Sequence, residues 1–361
     1  MNRAGKLVLC AWLAVPALVM AQGNAWEVEV HAGGLFTPDI SGGTSSLPPA
    51  GSTFTTAGGF RSRIVSSWFF GDGSLLLNGV AASNPGFNVS QRITPLDVVL
   101  NNPLADRTGG GSFGFRVSRQ LMPRIVAEFN FDYASTPFEA RENVQSGLEG
   151  TAASFAPVFE ALLPAPLFVG RNPRASSSLE IGDGSEMIVT GVVRINLLTQ
   201  GRIIPYAVAG AGVTNYRGEG PVAGVDGGYS FLLFGVSPFN ERDTVNVRQT
   251  FDESAPVGVF GGGANVYLTA RSGVRVDARV HLGPARDEVL LNATPVVTVT
   301  PAGSLIFSST NPSLSFNSLA GASTTLPPSS LSGRAITDFK TFEASGTRQQ
   351  VLLSVGYFYR F

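Results

Sequence analysis

Arg275, Asp277, Arg279 and His281 recur at every second position of one short stretch. In an extended strand that spacing sets all four on one face, where they could form a hydrogen-bonded ladder or help to hold a metal. Metal ligation needs a second histidine or a convergent carboxylate, and the chain's other histidine, His31, lies far away in sequence. The residues therefore favour the ladder. Two glycine-rich matches fail on context. Gly109-x-Gly111-x-x-Gly114 fits the dinucleotide fingerprint and Gly110-Gly111-Ser112-Phe113-Gly114 fits the hydrolase nucleophile elbow, but each motif needs a strand that turns into a helix. Here the glycines lead into Phe113-x-Phe115-x-Val117, which alternates as a strand does.

The elements that position these residues come from a chain of 361 residues that is 43% hydrophobic and only 14% charged, with 43 glycines, 23 prolines and one cysteine. That composition excludes a disordered polyelectrolyte, a long coiled coil and a disulfide scaffold. A formal net charge of −1 gives no reason to expect nucleic acid as a partner. Residues 1–21 read as a secretory signal peptide: Arg3 and Lys6, then the apolar run Leu7 to Val19, then Val19-Met20-Ala21 as a cleavage site. Cys10 follows Leu9 rather than a small residue, which argues against a lipoprotein anchor, and no cysteine remains after Ala21. Beyond the signal no run of 18 uncharged apolar residues occurs, so a helical span is not expected. Export then leaves a soluble exported protein or a barrel in the outer membrane.

Eight segments decide between these. Gln350 to Phe361 places Val351, Leu353, Val355, Tyr357, Tyr359 and Phe361 on one face, with Ser354, Gly356 and Arg360 on the other. Trp26, Val28 and Val30 alternate with Glu27, Glu29 and His31; Phe113, Phe115 and Val117 with Ser112, Gly114 and Arg116. Ile125, Ala127, Phe129, Phe131 and Tyr133 alternate with Glu128, Asn130 and Asp132; Val189, Gly191, Val193 and Ile195 with Thr190, Arg194 and Asn196. Ile203 to Tyr216 is too rich in glycine and alanine for its faces to be assigned. Phe260, Ala264, Val266 and Leu268 oppose Gly261, Gly263, Asn265 and Tyr267, and Gly261-Gly262-Gly263 is read as the entry into that strand. In the seventh segment Val274, Val276, Ala278, Val280 and Leu282 oppose the Arg275 to His281 ladder.

The connections alternate short and long: tight turns at 119–123, 199–202 and 270–273, and long loops at about 37–110, 135–184, 217–254 and 285–347. This rhythm predicts an all-β fold, an antiparallel transmembrane β-barrel of eight strands with short periplasmic turns and four long extracellular loops, in one domain over 22–361. Strands of ~9–11 residues are long enough to cross when tilted.

At this level the chain resembles the small, eight-stranded outer-membrane β-barrel proteins of Gram-negative bacteria. Its closing residues Ser354-Val355-Gly356-Tyr357-Phe358-Tyr359-Arg360-Phe361 are similar to that family's C-terminal sorting signal. The resemblance implies that Ser354, Gly356, Tyr359 and Phe361 are read by the barrel assembly machinery, and that outer-membrane lipid and lipopolysaccharide surround the barrel. It covers the eight segments and says little about the loops; with its last strand at the end of the sequence, the chain is expected to lack the peptidoglycan-binding domain of some larger relatives. Some relatives modify lipid A with a Ser/His pair, but neither His31 nor His281 comes with a serine partner, so no enzyme is expected.

The polar faces are expected to point inward as a lumen charge network: Glu27, Glu29, Glu128, Asp132, Glu186 and Asp277 against Arg116, Arg194, Arg275 and Arg279, with His281 beside them. An eight-stranded barrel is only wide enough for side chains to fill it. Unpaired ions in so narrow a space cost several kcal/mol, so the charges should pair and plug the lumen. The long loops hold Trp68-Phe69-Phe70, Leu75-Leu76-Leu77, Ala161-Leu162-Leu163 and Phe231-Leu232-Leu233-Phe234. Apolar stretches of this kind predict loops that fold on one another as an extracellular cap able to bind a ligand. Val296 to Thr300 and Ser304 to Ser309 read as a hairpin above the membrane; were loop strands to enter the bilayer instead, the barrel would have ten or twelve strands. The expected function is an outer-membrane barrel with a salt-bridged, largely plugged lumen, whose cap serves surface structure, adhesion or partner binding. The alternative is a narrow, porin-like channel for small solutes. No cofactor is implied.

Overall fold

The computed structural model describes residues 25–38, 40, 42–55, 59, 61–83, 91–298, 307–308, 314–316, 330–331 and 334–361; the expected signal peptide lies outside these. Eight antiparallel strands close into a ring: β1 (Trp26–Phe36), β2 (Gly110–Gln120), β3 (Ile125–Ser135), β4 (Gly184–Asn196), β5 (Ile203–Gly218), β6 (Ser254–Tyr267), β7 (Ser272–Thr298) and β8 (Ile336–Arg360). Each pairs with its neighbour in sequence, and β8 returns to β1 with Glu27 opposite Arg360 and Phe36 opposite Val351. Closure leaves no free edge in the ring, which is what lets backbone groups sit in hydrocarbon.

The alternation puts the wrong side in for a soluble protein. On β1, Glu27, Glu29 and His31 are buried, while Trp26, Val28 and Val30 are exposed. Phe113, Phe115, Phe129, Val193, Ile195, Phe260, Val276, Leu353, Val355 and Tyr357 continue the exposed apolar band around the outside. A charged interior under an apolar exterior is the pattern of a strand ring that faces lipid. Among the described residues no helix is long and apolar enough to cross a membrane.

The short turns lie at one end of the ring. The other end carries a folded cap. Here β7 and β8 outrun the sequence reading, which ends the seventh segment at Leu282 and opens the eighth at Gln350. They stay paired from Ser272 opposite Tyr359 to Ala293 opposite Ile336, so 285–298 and 336–347 are strand rather than loop. The alternation of β7 continues past the barrel, with Val289, Leu291 and Ala293 buried in place of the charged residues below. Above the rim β6 is replaced as the neighbour of β7 by Ser237–Phe251, the second arm of a hairpin with Val222–Leu233. Arg174–Glu180 pairs with the first arm and forms the edge of the sheet; Thr44–Ser45 pairs with β8 at the opposite edge.

Three further expectations are corrected by this pairing. Val296 belongs to β7, opposite Arg242, and Phe307–Ser308 pairs with Ser315–Phe316, so the expected Val296–Thr300/Ser304–Ser309 hairpin does not form as read; residues 299–306 lie outside the described ones. Phe231, Leu232 and Leu233 are strand residues of the cap hairpin rather than loop. Gly261 to Gly263 lie in the middle of β6, because that strand begins at Ser254. A Cβ on Gly263 would stand 2.5 Å from the hydroxyl of Tyr206, so this glycine leaves room for an inward ring.

Helices α1 (Gly71–Ser83), α2 (Asp97–Leu100) and α3 (Glu142–Leu162) complete the cap. Helix α3 buries Val144, Leu148, Phe155, Val158, Phe159 and Leu162 along one face, and it lies against Arg174–Glu180 and Val222–Leu233. Residues three and four apart share a helix face, so this spacing turns one apolar stripe onto the sheet. The stripe meets Trp68, Phe69 and Tyr229: ring centroids are 4.5 Å apart for Phe159 and Tyr229, and 5.3 Å for Phe69 and Phe155. The cap thus has its own dry core, continuous with Val245, Val247, Val289 and Leu291.

Candidate functional site

Two places gather chemistry: the barrel lumen and the cap above it. In the lumen Arg116, Arg194, Arg275 and Arg279 project from β2, β4 and β7, and none is more than 1% exposed. Each is positioned by period-two spacing on a strand whose other face is apolar. Glu128, on β3, stands between them. It takes Arg279 at 2.5 Å, Arg194 at 3.2 Å and Arg275 at 3.3 Å, with Arg116 at 4.0 Å. Glu27 is shared by Arg194 at 3.1 Å, by Arg275 and by Arg360 at 3.1 Å; Glu29 is shared by Arg116 at 2.9 Å and Arg275 at 2.5 Å. Asp277 receives Arg279 at 2.9 Å and Arg116 at 3.1 Å.

The remaining lumen residues attach to this cluster or stand above it. His31 lies 2.6 Å from Asp132 through Nε2 and 3.7 Å from Glu29 through Nδ1. His281 is buried on the same face as Arg279, and its Nδ1 meets no hydrogen-bond partner among the described residues. Glu186 accepts from Gln350 Nε2 at 2.6 Å and from Thr214 Oγ1 at 2.5 Å. Among the described residues no group of three metal-ligating side chains converges.

One member of the network, Tyr206, carries no signal in the sequence, because the faces of its segment cannot be assigned there. Tyr206 donates its hydroxyl to Asp277 at 2.6 Å, and the Arg194 and Arg275 guanidiniums lie 5.5 and 5.6 Å from its ring centre. Asn265 accepts from Arg275 Nε at 2.7 Å. Of the closing motif, Ser354 accepts from Arg116 at 3.0 Å, whereas Tyr359 and Phe361 are exposed on the outer face. Gly356 and Gly114 both face His31: a Cβ on Gly356 would lie 2.8 Å from the His31 Cβ, and one on Gly114 2.7 Å from its Nε2. These glycines make space for the charged side chains on neighbouring strands.

The cap joins the barrel through a second set of polar contacts. Arg107 lies over the rings of Tyr216 at 4.0 Å and Phe251 at 4.2 Å. It lines a cavity between plug and cap together with Glu186, Arg348 and Gln350. Higher up, Asp243 is fully buried and accepts from Ser67 Oγ and the Trp68 backbone N–H, both at 2.7 Å. Burial pushes its carboxyl up to about 7, against the pull of these two donors. Tyr229 donates to Glu241, and burial followed by that neighbouring carboxylate raises its phenol well above the ordinary value.

No protein-family model matches the chain, and no curated protein matches it in sequence. Among solved structures it is similar to the outer membrane protein OprG from Pseudomonas aeruginosa, at 10% identity and a TM-score of 0.39 over 94% of this chain and 97% of that one. It is also similar to the outer membrane protease OmpT from Escherichia coli, at 7% identity and a TM-score of 0.25 over 96% and 99% of the two chains. CarO from Acinetobacter baumannii gives 9% identity and a TM-score of 0.24 over 70% and 97%. Likenesses this weak carry no argument about activity. The closed ring of eight strands, its charged interior and its apolar outer band make the chain a β-barrel of the outer-membrane type, and the outer membrane is where such a barrel resides.

Proposed function

We propose that the barrel is a sealed membrane anchor and that its outward work, in surface structure, adhesion or partner binding, is done by the folded cap. The observation that carries this reading is Glu128, which is 4% exposed and shared by Arg194, Arg275 and Arg279 at the centre of the lumen. An ion pathway favours a ring of one sign around open water. Here both signs interlock across the bore, and each opening of the plug would expose several buried charges together. The cap supports the reading from above, since a core containing Trp68, Phe69, Phe155 and Phe159 is more than loop closure needs. In this reading lipid and lipopolysaccharide surround the band, the assembly machinery reads Ser354, Gly356, Tyr359 and Phe361, and the protein is not an enzyme.

Single-channel conductance of the refolded chain from Gln22 to Phe361 in a planar bilayer tests it, once a mobility shift on unboiled gels shows that the barrel has folded. Silence is expected. Discrete stable openings would overturn the sealed anchor in favour of a narrow channel for small solutes.

A further inference from the structure

The outermost strand of the cap sheet, Arg174–Glu180, bonds through its backbone to Val222–Gly228 on one side. Among the described residues no backbone hydrogen bond reaches its other side. Natural edges are usually guarded by prolines, inward-pointing charges or bulges. This one reads Arg-Ala-Ser-Ser-Ser-Leu-Glu, with no proline within it and charges only at its two ends. The side chains of Arg174, Ser176, Ser178 and Glu180 are exposed on one face, while Ala175 and Leu179 turn towards the cap core. Neither Arg174 nor Glu180 enters an ion pair among the described residues, whereas the neighbouring Arg242 and Asp226 are paired at 2.7 Å.

We propose that this edge pairs antiparallel with the same strand of a second copy of the chain, around a two-fold axis at Ser177. The sequence is complementary to itself in that register. Arg174 stands opposite Glu180 of the second copy on the exposed face, and Glu180 opposite its Arg174. Ala175 faces Leu179 on the core side, Ser176 faces Ser178, and Ser177 meets its own counterpart. Side chains directly opposite in an antiparallel pair lie on the same face, so two ion pairs and two apolar contacts form at once. Strand addition satisfies the row of unpaired backbone groups, and a two-fold axis makes the contact closed rather than fibrous. The inference deepens the reading of the cap as a binding platform by naming the partner. It is separable from the sealed lumen, which conductance alone judges.

The test uses the chain from Gln22 onward, refolded in detergent and followed by sedimentation over a range of concentrations. A monomer–dimer equilibrium is expected. Arg174→Glu and Glu180→Arg should each weaken the dimer about tenfold, because each sets like charges opposite one another twice, and the double variant should restore it. Both positions are exposed, so folding should be unaffected, and the mobility shift on unboiled gels verifies this. Since the mature chain has no cysteine, Ser177→Cys treated with a short bismaleimide should give a covalent dimer, and Thr44→Cys at the opposite sheet edge should not. A monomer at every concentration overturns the proposal. So does a dimer that ignores the charge swaps, or one that crosslinks through Thr44→Cys.

Discussion

One strand, β7, builds two interiors of opposite chemistry. Between Arg275 and His281 its inward side chains are charged; between Val289 and Ala293 they are aliphatic. The backbone alternates the same way throughout, so strand geometry does not account for the change. The surroundings do. Where the outer face meets lipid, apolar side chains gain nothing by turning inward and polar ones must, so the lumen collects charge. Where the outer face meets water, the ordinary hydrophobic preference returns and the inner face joins the apolar core that also holds α3 and the Trp68 segment. The barrel is therefore held by interlocked ions and the cap by dispersion and apolar burial.

This contrast can be broken at four points. Removing the central carboxylate should have the largest effect. Glu128→Ala leaves Arg194, Arg275 and Arg279 with too little counter-charge, at a cost of roughly 5 kcal/mol. Urea unfolding in detergent, read by the gel-mobility shift, measures it. Phe159→Ala, between Trp68 and Tyr229, should cost the cap about 3–4 kcal/mol while the barrel keeps its shift. Limited proteolysis would then cut the cap early; simultaneous loss of both regions would show that they do not fold as two units.

The third point is pH. Asp243 holds its proton up to about pH 7 when folded and releases it near 3.8 when unfolded. A carboxyl raised in this direction contributes stability that is fully present below the unfolded value and is lost as pH rises through 7. The cap should accordingly weaken by about 2–3 kcal/mol between pH 5 and pH 8. Asp243→Asn should flatten that dependence in a pH series of protease-resistance measurements. The smallest effect belongs to the rim, where Glu343 bridges Arg286 and Lys340 in partly exposed pairs. Glu343→Gln should change the unfolding free energy in urea by less than about 1 kcal/mol, as a screened pair does.

The ring was legible in the chain because membrane strands show their two faces with strong contrast: Glu27, Glu29 and His31 against Trp26, Val28 and Val30 leave little choice. Where contrast fails, so does the reading. Ile203 to Tyr216 has alanine outward and glycine inward at Ala209 to Gly212, and only pairing with β4 and β6 reveals that Tyr206 and Val208 face the lumen. Tyr206 was missed as a member of the network for that reason. The cap was readable as apolar matter that must be buried, but its elements were not. Helix α3 contains Gly147, Gly150, Thr151 and Pro157, which hide it from any propensity argument, and it depends on the sheet beneath it. The upper half of β7 escapes the sequence because its inward residues exchange charge for aliphatic side chains partway along, and that of β8 because it alternates poorly, with Thr341 and Phe342 buried side by side.

The run of β7 and β8 from the membrane into the cap, shifted in register only at Val289/Leu290 and Leu291/Ala293, also has a mechanical consequence. Their ladder extends from Ser272 and Tyr359 near the short-turn end to Ala293 and Ile336 within the cap. A pull on the cap along these strands loads rungs of that ladder together, in shear, instead of opening them one after another. Any tension on the cap would therefore reach the barrel wall through the paired backbone of these two strands.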